Sequence, residues 1–204
     1  MLLHKKLEGY NLILASASPR RRQLLTDCGI IFTLADKFEC DETYPVSTPC
    51  SEVAEYISRL KSAAYPKELG LNDILLTADT VVVAQNQILG KPTDRTEAIQ
   101  MLTMLSGQMH TVITGVTLRT ATHTHSFSVE SIVSFRNLDT EEIEYYVDNF
   151  KPYDKAGAYG IQEWIGYVAI ESIEGSFFNV MGLPVQRLYV ELGEFIETYL
   201  RITK

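Results

Sequence analysis

Leu12-Ile13-Leu14-Ala15-Ser16-Ala17-Ser18-Pro19-Arg20-Arg21-Arg22-Gln23-Leu24-Leu25 reads as a strand, a turn and a helix in succession. The apolar run ends in a small, hydroxyl-rich turn, and Pro19 then brings the fixed φ and missing N–H that suit the first position of a helix. Ser18 can cap that helix through its hydroxyl, the unpaired backbone N–H groups of the first turn point back toward the turn, and three arginines follow at once. Cations at a helix N-terminus oppose the helix dipole unless something anionic binds there. Arginine supplies a planar fork of donors that matches phosphate oxygens, each such bond contributing ~1.5–3 kcal/mol. The segment is therefore read as an anion site on a strand–turn–helix unit, with a solvated basic first turn as the alternative.

The rest of the chain extends this pattern. With 204 residues, 46% of them hydrophobic, it can build one substantial core, or at most two closely joined lobes, and no repeat, low-complexity tract or Pro/Gly/Ser-rich linker divides it. A strand is expected near Ile30 to Leu34 after a helix from Pro19 to about Asp27 closed by Gly29, then an acidic loop, Glu39-Cys40-Asp41-Glu42. Val53, Ile57, Leu60 and Ala64 recur at helical spacing over Ser51 to Ala64 and leave Lys61 at the edge of the buried stripe. Ile74 to Ala84 shows no alternation and reads as a strand buried on both faces. A helix starting at Asp94 and Glu97 follows, then two strands, His110 to Arg119 and Thr124 to Phe135, as antiparallel neighbours. A helix near Thr140 to Asn149, a glycine-rich loop, a strand from Tyr167 to Ile173 and a helix from about Pro184 to Leu200 complete an α/β chain with a mixed sheet.

Composition excludes several classes of function. A net charge of −8 and a pI near 5.0 argue against a nucleic-acid surface, which needs a broad basic field, but leave room for a local basic pocket; the Arg20 to Arg22 cluster stands out among only 18 Lys and Arg. No stretch approaches the ~20 apolar residues of a membrane span, and the first residues lack the apolar core and cleavage site of a signal peptide. Cys28, Cys40 and Cys50 are odd in number and form no CxxC pair, so neither a disulfide framework nor a zinc site is suggested. The expectation is a soluble cytoplasmic protein.

Asp79 lies inside the most hydrophobic run of the chain, where an unpaired carboxylate would cost several kcal/mol, so it must meet a cation, a metal or a hydrogen-bond network; a structural acid bonded to backbone N–H groups is the plainer reading. Glu42 could join it in holding Mg2+ or Mn2+, both of which suit hard oxygen ligands, although acids beside Pro45 and Ser47 also fit a solvated turn. Lys91, in Gly90-Lys91-Pro92, is presented by a turn that glycine permits and proline stiffens, and Lys61 could supply a second ammonium. Two lysines, two arginines and two acids converging would make a phosphate and metal site. His110, His123 and His125 lack the third ligand of a metal centre and are read as ordinary polar positions. Asp154 to Gln162 is small and glycine-punctuated, the composition of a loop that lies against a ligand, and Gln162 carries the donor and acceptor that can read a nucleobase edge. Gly175 to Pro184 is read mainly as packing and helix initiation.

Taken together, Ser16-Ala17-Ser18-Pro19-Arg20-Arg21, Ala78-Asp79-Thr80, Gly90-Lys91-Pro92, Ser106-Gly107 with His110, Thr114-Gly115-Val116, Asp154 to Gln162 and Gly182-Leu183-Pro184 resemble the Maf family of nucleoside triphosphate pyrophosphatases along nearly the whole chain. The resemblance implies a single domain over residues 1–204, with a strongly twisted mixed sheet flanked by helices and two lobes around a cleft, related to inosine triphosphate pyrophosphatases, and frequently a homodimer. It also implies a reaction in which a nucleoside triphosphate and water give the monophosphate and pyrophosphate with a divalent metal. By position, Asp79 matches the family's proton acceptor, Arg20, Thr80 and Gln162 match positions tied to substrate choice, and Ser16, Arg21, Glu42, Lys61 and Lys91 match the other polar residues of its site. Arg, Thr and Gln at those three positions resemble the branch that prefers dTTP and UTP, another branch preferring 7-methyl-GTP. Glu163-Trp164 departs from the pattern, since many members have glycine after the glutamine. The rival readings are a non-catalytic nucleotide-binding regulator of cell division, in which no base in a buried strand is needed, and a phosphatase releasing single orthophosphates.

Overall fold

The computed structural model describes residues 1–200. In chain order the elements are helix α1 (Leu3–Lys6), strand β1 (Asn11–Leu14), α2 (Pro19–Asp27), β2 (Thr33–Leu34), α3 (Cys50–Ala63), β3 (Asp73–Ala84), β4 (Gln87–Leu89), α4 (Arg95–Leu105), β5 (Met109–Arg119), β6 (Thr124–Phe135), α5 (Thr140–Phe150), α6 (Trp164–Ala169), β7 (Ile170–Glu174), α7 (Phe177–Met181) and α8 (Val185–Phe195). The described residues form one seven-stranded sheet in the order β2-β1-β3-β5-β6-β7, with β4 beside β3. It is mixed: β1 runs parallel to β2 and β3, whereas β3 with β4 and β6 with β7 are antiparallel. An α/β chain with a mixed sheet is what the alternating pattern implies.

The chain divides into two compact units, one of Met1–Asp79, Thr114–Val129 and the chain from Gly182, the other of Thr80–Ile113 and Glu130–Met181. In the first unit β1 pairs with β3 in register, Leu12 opposite Ile74 and Leu14 opposite Leu76, and the apolar runs of both strands are buried. Helix α3 approaches β5 closely, because a Cβ on Gly115 would lie 2.2 Å from Glu55 N. Thr77 Oγ1 donates to Ser58 O at 2.7 Å, and Ser58 Oγ pairs with Thr117 Oγ1 at 2.7 Å, so buried polar groups here are satisfied by one another. The second unit has its own core, in which Leu102 and Leu105 of α4, Tyr146 and Val147 of α5, Val133 and Phe135 of β6 and Tyr159 pack together.

Several boundaries differ from the sequence expectation. The strand expected over Ile30 to Leu34 pairs only at Thr33 and Leu34, at the sheet edge, with Ile31 86% exposed. Tyr167 to Ala169 belong to a helix rather than a strand: Ile165 and Ala169, four apart, are both buried, and a short apolar run fits either period. The last helix is regular to Phe195 and continues as a π-helical turn, Ile196–Leu200. Strand β4 is not among the strands expected from the sequence: its two-residue turn, Gln85-Asn86, holds both residues at positive φ (50° and 60°) without the glycine that announces such a hairpin.

Candidate functional site

Ser16, Arg20, Arg21, Glu42, Lys61 and Asp79 belong to the first unit. Pro19 opens α2 and Ser18 caps it, Oγ accepting from Arg21 N at 3.5 Å, which sets the phase of the three arginines. Arg22 points to solvent, Arg20 is half-buried, and Arg21 is buried. The Arg21 guanidinium donates from Nε to Gly182 O at 2.7 Å and from Nη1 to Ala78 O at 2.8 Å, with Ser16 Oγ 3.3 Å from Nη1. Two of its donors are thus committed to backbone carbonyls: Arg21 ties the turn after β1 to the residue before Asp79, and contributes its charge more than an open fork. Burial pushes its pKa below the ordinary arginine value, opposed by the charge of Asp79.

Lys61 and Asp79 meet directly. Lys61 Nζ donates to Asp79 Oδ1 at 2.6 Å and lies 3.1 Å from Glu42 Oε1. The lysine sits in the last turn of α3, where a cation suits the helix dipole, one turn beyond the Ser58 contacts that dock the helix on the sheet. Asp79 has therefore found the cation that its place in an apolar strand demanded. Arg20, Arg21 and Lys61 set three positive charges against the carboxylates of Asp79 and Glu42, leaving this group net positive in a chain of net charge −8.

Thr80, Lys91 and Gln162 belong to the second unit. Thr80 is half-buried in β3, and Lys91 is exposed beside Gly90, whose carbonyl accepts from Gly157 N at 3.0 Å. Gly157 has φ +66°, and a Cβ there would lie 3.0 Å from both methyls of Val82, so the glycine-rich loop is seated against β3 and the Gly90 turn at once. Tyr159 Oη lies 2.8 Å from His110 Nε2, and Phe135 packs edge-on against both rings. His110 is thus a buried packing partner of the loop, and burial lowers its pKa to about 4. Gln162 Oε1 is buried with no hydrogen-bond partner among the described residues, an acceptor left open.

Reading the sequence missed three contributors: the carbonyls of Ala78 and Gly182 that hold Arg21, and the Lys155–Glu163 pair with Tyr146. The signals available in the sequence are Lys155, a lysine inside a small-residue loop, and Glu163, which stands where the family pattern often carries glycine. His125 pairs with Glu191 at 2.6 Å, outside this group of residues, and Asn179 Nδ2 donates to Val112 O at 3.1 Å and Ser131 Oγ at 3.0 Å, in keeping with a packing role for the Gly175 to Pro184 segment.

Residues 11–195 match the family model described as Maf-like protein. The chain is 51% identical over 191 residues to a dTTP/UTP pyrophosphatase of Parabacteroides distasonis, covering 94% of this chain and 99% of that protein. It is 49% identical over 188 residues to a dTTP/UTP pyrophosphatase of Bacteroides fragilis, covering 92% and 97% respectively. Among solved structures, a HAM1 protein from Coxiella burnetii is similar at 15% identity over 91% of this chain and 99% of that chain, with a TM-score of 0.45.

Proposed function

From a chain that belongs to the Maf-like protein family, we propose an enzyme that hydrolyses nucleoside triphosphates, with dTTP and UTP preferred, to the nucleoside monophosphate and pyrophosphate. The observation that carries this reading is the half-buried contact of Asp79 with Lys61, set beside the buried cation Arg21: a carboxylate held by an ammonium within a locally positive group. A purely binding pocket for a triphosphate has no use for that carboxylate, whereas hydrolysis needs a group to accept the proton of water.

In the proposed reaction, Asp79 accepts a proton from water as its oxygen bonds to the α-phosphorus. The bond from that phosphorus to the α,β-bridging oxygen breaks, and pyrophosphate leaves with the electron pair. Ser16, Arg20, Lys61 and Lys91 bind the phosphates, Arg21 acts at the same phosphates chiefly through its charge, and together they neutralise the charge that shifts onto the leaving group. Arg20, Thr80 and Gln162 select the nucleotide. The open acceptor of Gln162 suits the N3–H of uracil or thymine, and cytosine, with a lone pair at that position, would leave two acceptors facing each other.

A divalent cation fits the donor set. Asp79 and Glu42 present hard carboxylate oxygens to one shared cation, Lys61 Nζ, and among the described residues no group of three or more His, Cys, Asp or Glu could hold a metal ion by itself. Mg2+ or Mn2+ would be held by Asp79 and Glu42 with the triphosphate and water completing its shell, and would supply the positive charge that a tetraanionic substrate needs beyond these side chains.

The chain is proposed to act as one domain, supported by a single family match over residues 11–195, and as a cytoplasmic homodimer, which rests on the family resemblance. No helix of the described residues is long and apolar enough to cross a membrane. Incubation with a panel of canonical triphosphates and 7-methyl-GTP, with Mg2+ or Mn2+ and chromatographic identification of products, tests the reading. Monophosphate plus pyrophosphate, fastest from UTP or dTTP, is expected; tight binding without turnover under every metal would favour the regulator instead, and orthophosphate release the phosphatase.

A further inference from the structure

The loop from Lys155 to Glu163 is closed at its base by its own two end residues. Lys155 is buried, and its Nζ lies 3.0 Å from Glu163 Oε1 and 2.7 Å from Asp154 Oδ1. The other oxygen of the same carboxylate, Glu163 Oε2, accepts from the hydroxyl of Tyr146, and Tyr146 Oη accepts from the backbone N–H of Gly160 at 3.0 Å. The contacts therefore run from Lys155 through Glu163 and Tyr146 back into the loop at Gly160. Gly160 lies against the ion pair, since a Cβ there would come 2.9 Å from Glu163 Cδ and 3.0 Å from Lys155 Cε. Tyr146 is fully buried on α5 and stacked on Phe150, so the ring of contacts is anchored to a helix outside the loop.

Gln162 stands between the two anchored points, two residues after Gly160 and one before Glu163. Its buried Oε1 is an acceptor with no partner among the described residues. A single acceptor distinguishes one base edge from another only if its direction is fixed, because a group free to swing can accept from water instead. A carboxylate engaged on both oxygens can hold such a direction, because loosening either partner leaves charge or hydroxyl unpaired and the arrangement therefore resists rotation.

We propose that Glu163 is a positioning residue for nucleobase selection: by joining Lys155 to Tyr146 across Gly160, it fixes the backbone of Gln162 and thereby the direction of its open acceptor. This rests on Gln162 reading the base. Glu163 touches neither the phosphates nor the reacting atoms in this scheme, and its effect reaches the substrate only through its neighbour.

Steady-state kinetics of the full-length protein on UTP and CTP test the proposal, comparing wild type with Gln162→Ala, Glu163→Gln and Tyr146→Phe. Glu163→Gln keeps the size of the side chain and removes its charge, whereas Tyr146→Phe leaves the ion pair and removes the hydroxyl that joins Glu163 Oε2 to Gly160 N–H. Both are expected to lower the UTP-over-CTP ratio of kcat/KM by about tenfold, mostly through a raised KM for UTP, with Glu163→Asp recovering part of the ratio. A merely structural role would lower thermal stability or the active fraction and scale both substrates alike. If Gln162→Ala shifts the ratio while Glu163→Gln and Tyr146→Phe leave it at the wild-type value, the positioning role is overturned. If Gln162→Ala itself leaves the ratio unchanged, the base-reading assignment fails first, and the proposal with it. Should Glu163→Gln not fold, Tyr146→Phe carries the same comparison.

Discussion

Lys61 Nζ stands 2.6 Å from Asp79 Oδ1, the two side chains 17% and 14% exposed. The lysine comes from the last turn of α3 and the aspartate from the middle of β3, so the contact requires that helix and strand be docked before the site exists. A triphosphate entering such a site brings anionic oxygens that compete for the ammonium. In the proposed reaction Lys61 would turn toward phosphate and release a lone pair of Asp79 to accept the proton of water, and the pair would then link substrate binding to the readiness of the base.

Asp79→Asn keeps the shape and removes the proton acceptor. Turnover should fall by about 10²–10⁴-fold while nucleotide binding stays measurable by calorimetry. Undiminished hydrolysis would show that another group takes the proton.

Lys61→Met removes the ammonium but keeps an apolar stem of similar length. It should lower kcat/KM for UTP by about 10²-fold or more, because both a phosphate contact and the partner of Asp79 are lost. Lys61→Arg should recover little of this, since a planar fork cannot occupy the place of a compact ammonium between Asp79 and Glu42. Full activity in the arginine variant would count against the pairing.

Gly115→Ala tests the docking of α3. The new Cβ would lie 2.2 Å from Glu55 N and 2.3 Å from Ala54 C, both backbone atoms, so helix or strand must shift. A loss of about 1–3 kcal/mol in urea unfolding is expected, together with reduced activity because Lys61 moves with the helix. An alanine variant as stable as wild type would mean that α3 is not held there.

His110 gives stability a pH dependence of known sign. Its folded pKa, about 4, lies below the ordinary 6.5, so between these values the unfolded chain binds more protons. The stability from keeping the ring neutral is present above pH 6.5 and is lost as pH falls toward 4, about 3 kcal/mol in all. His110→Phe should therefore lose less stability than wild type between pH 7 and pH 5 in parallel thermal melts. Identical losses would show that the ring does not titrate in this way.

Much of the site was legible because its signals are local. Ser18, Pro19 and Gly29 punctuate α2 within a dozen residues, and Asp79 announces a partner by the apolar run around it. The identity of that partner is a different kind of fact: Lys61 and Glu42 reach Asp79 only through the packing of α3 and of the acidic loop. The use of Arg21 shows the same limit. An arginine at a helix start reads as an open fork, whereas burial turns two of its donors onto Ala78 and Gly182, the latter 161 residues away in sequence. Tyr146 reads as one more core residue of an amphipathic helix; that its hydroxyl ends on Glu163 depends on where a loop from further along the chain is laid down. Positive φ at Gln85 and Asn86 is signalled in residue type only by the asparagine, with no glycine beside it, and the short hairpin of β3 and β4 is correspondingly faint in the sequence.

The point of attack is the most direct test of the account. Hydrolysis of UTP in ¹⁸O-labelled water, followed by mass spectrometry of both products, shows which phosphorus receives the water oxygen. The account predicts label in UMP and none in pyrophosphate, as follows from attack at the α-phosphorus with Asp79 accepting the proton. Label in pyrophosphate, or in orthophosphate released one unit at a time, would contradict it.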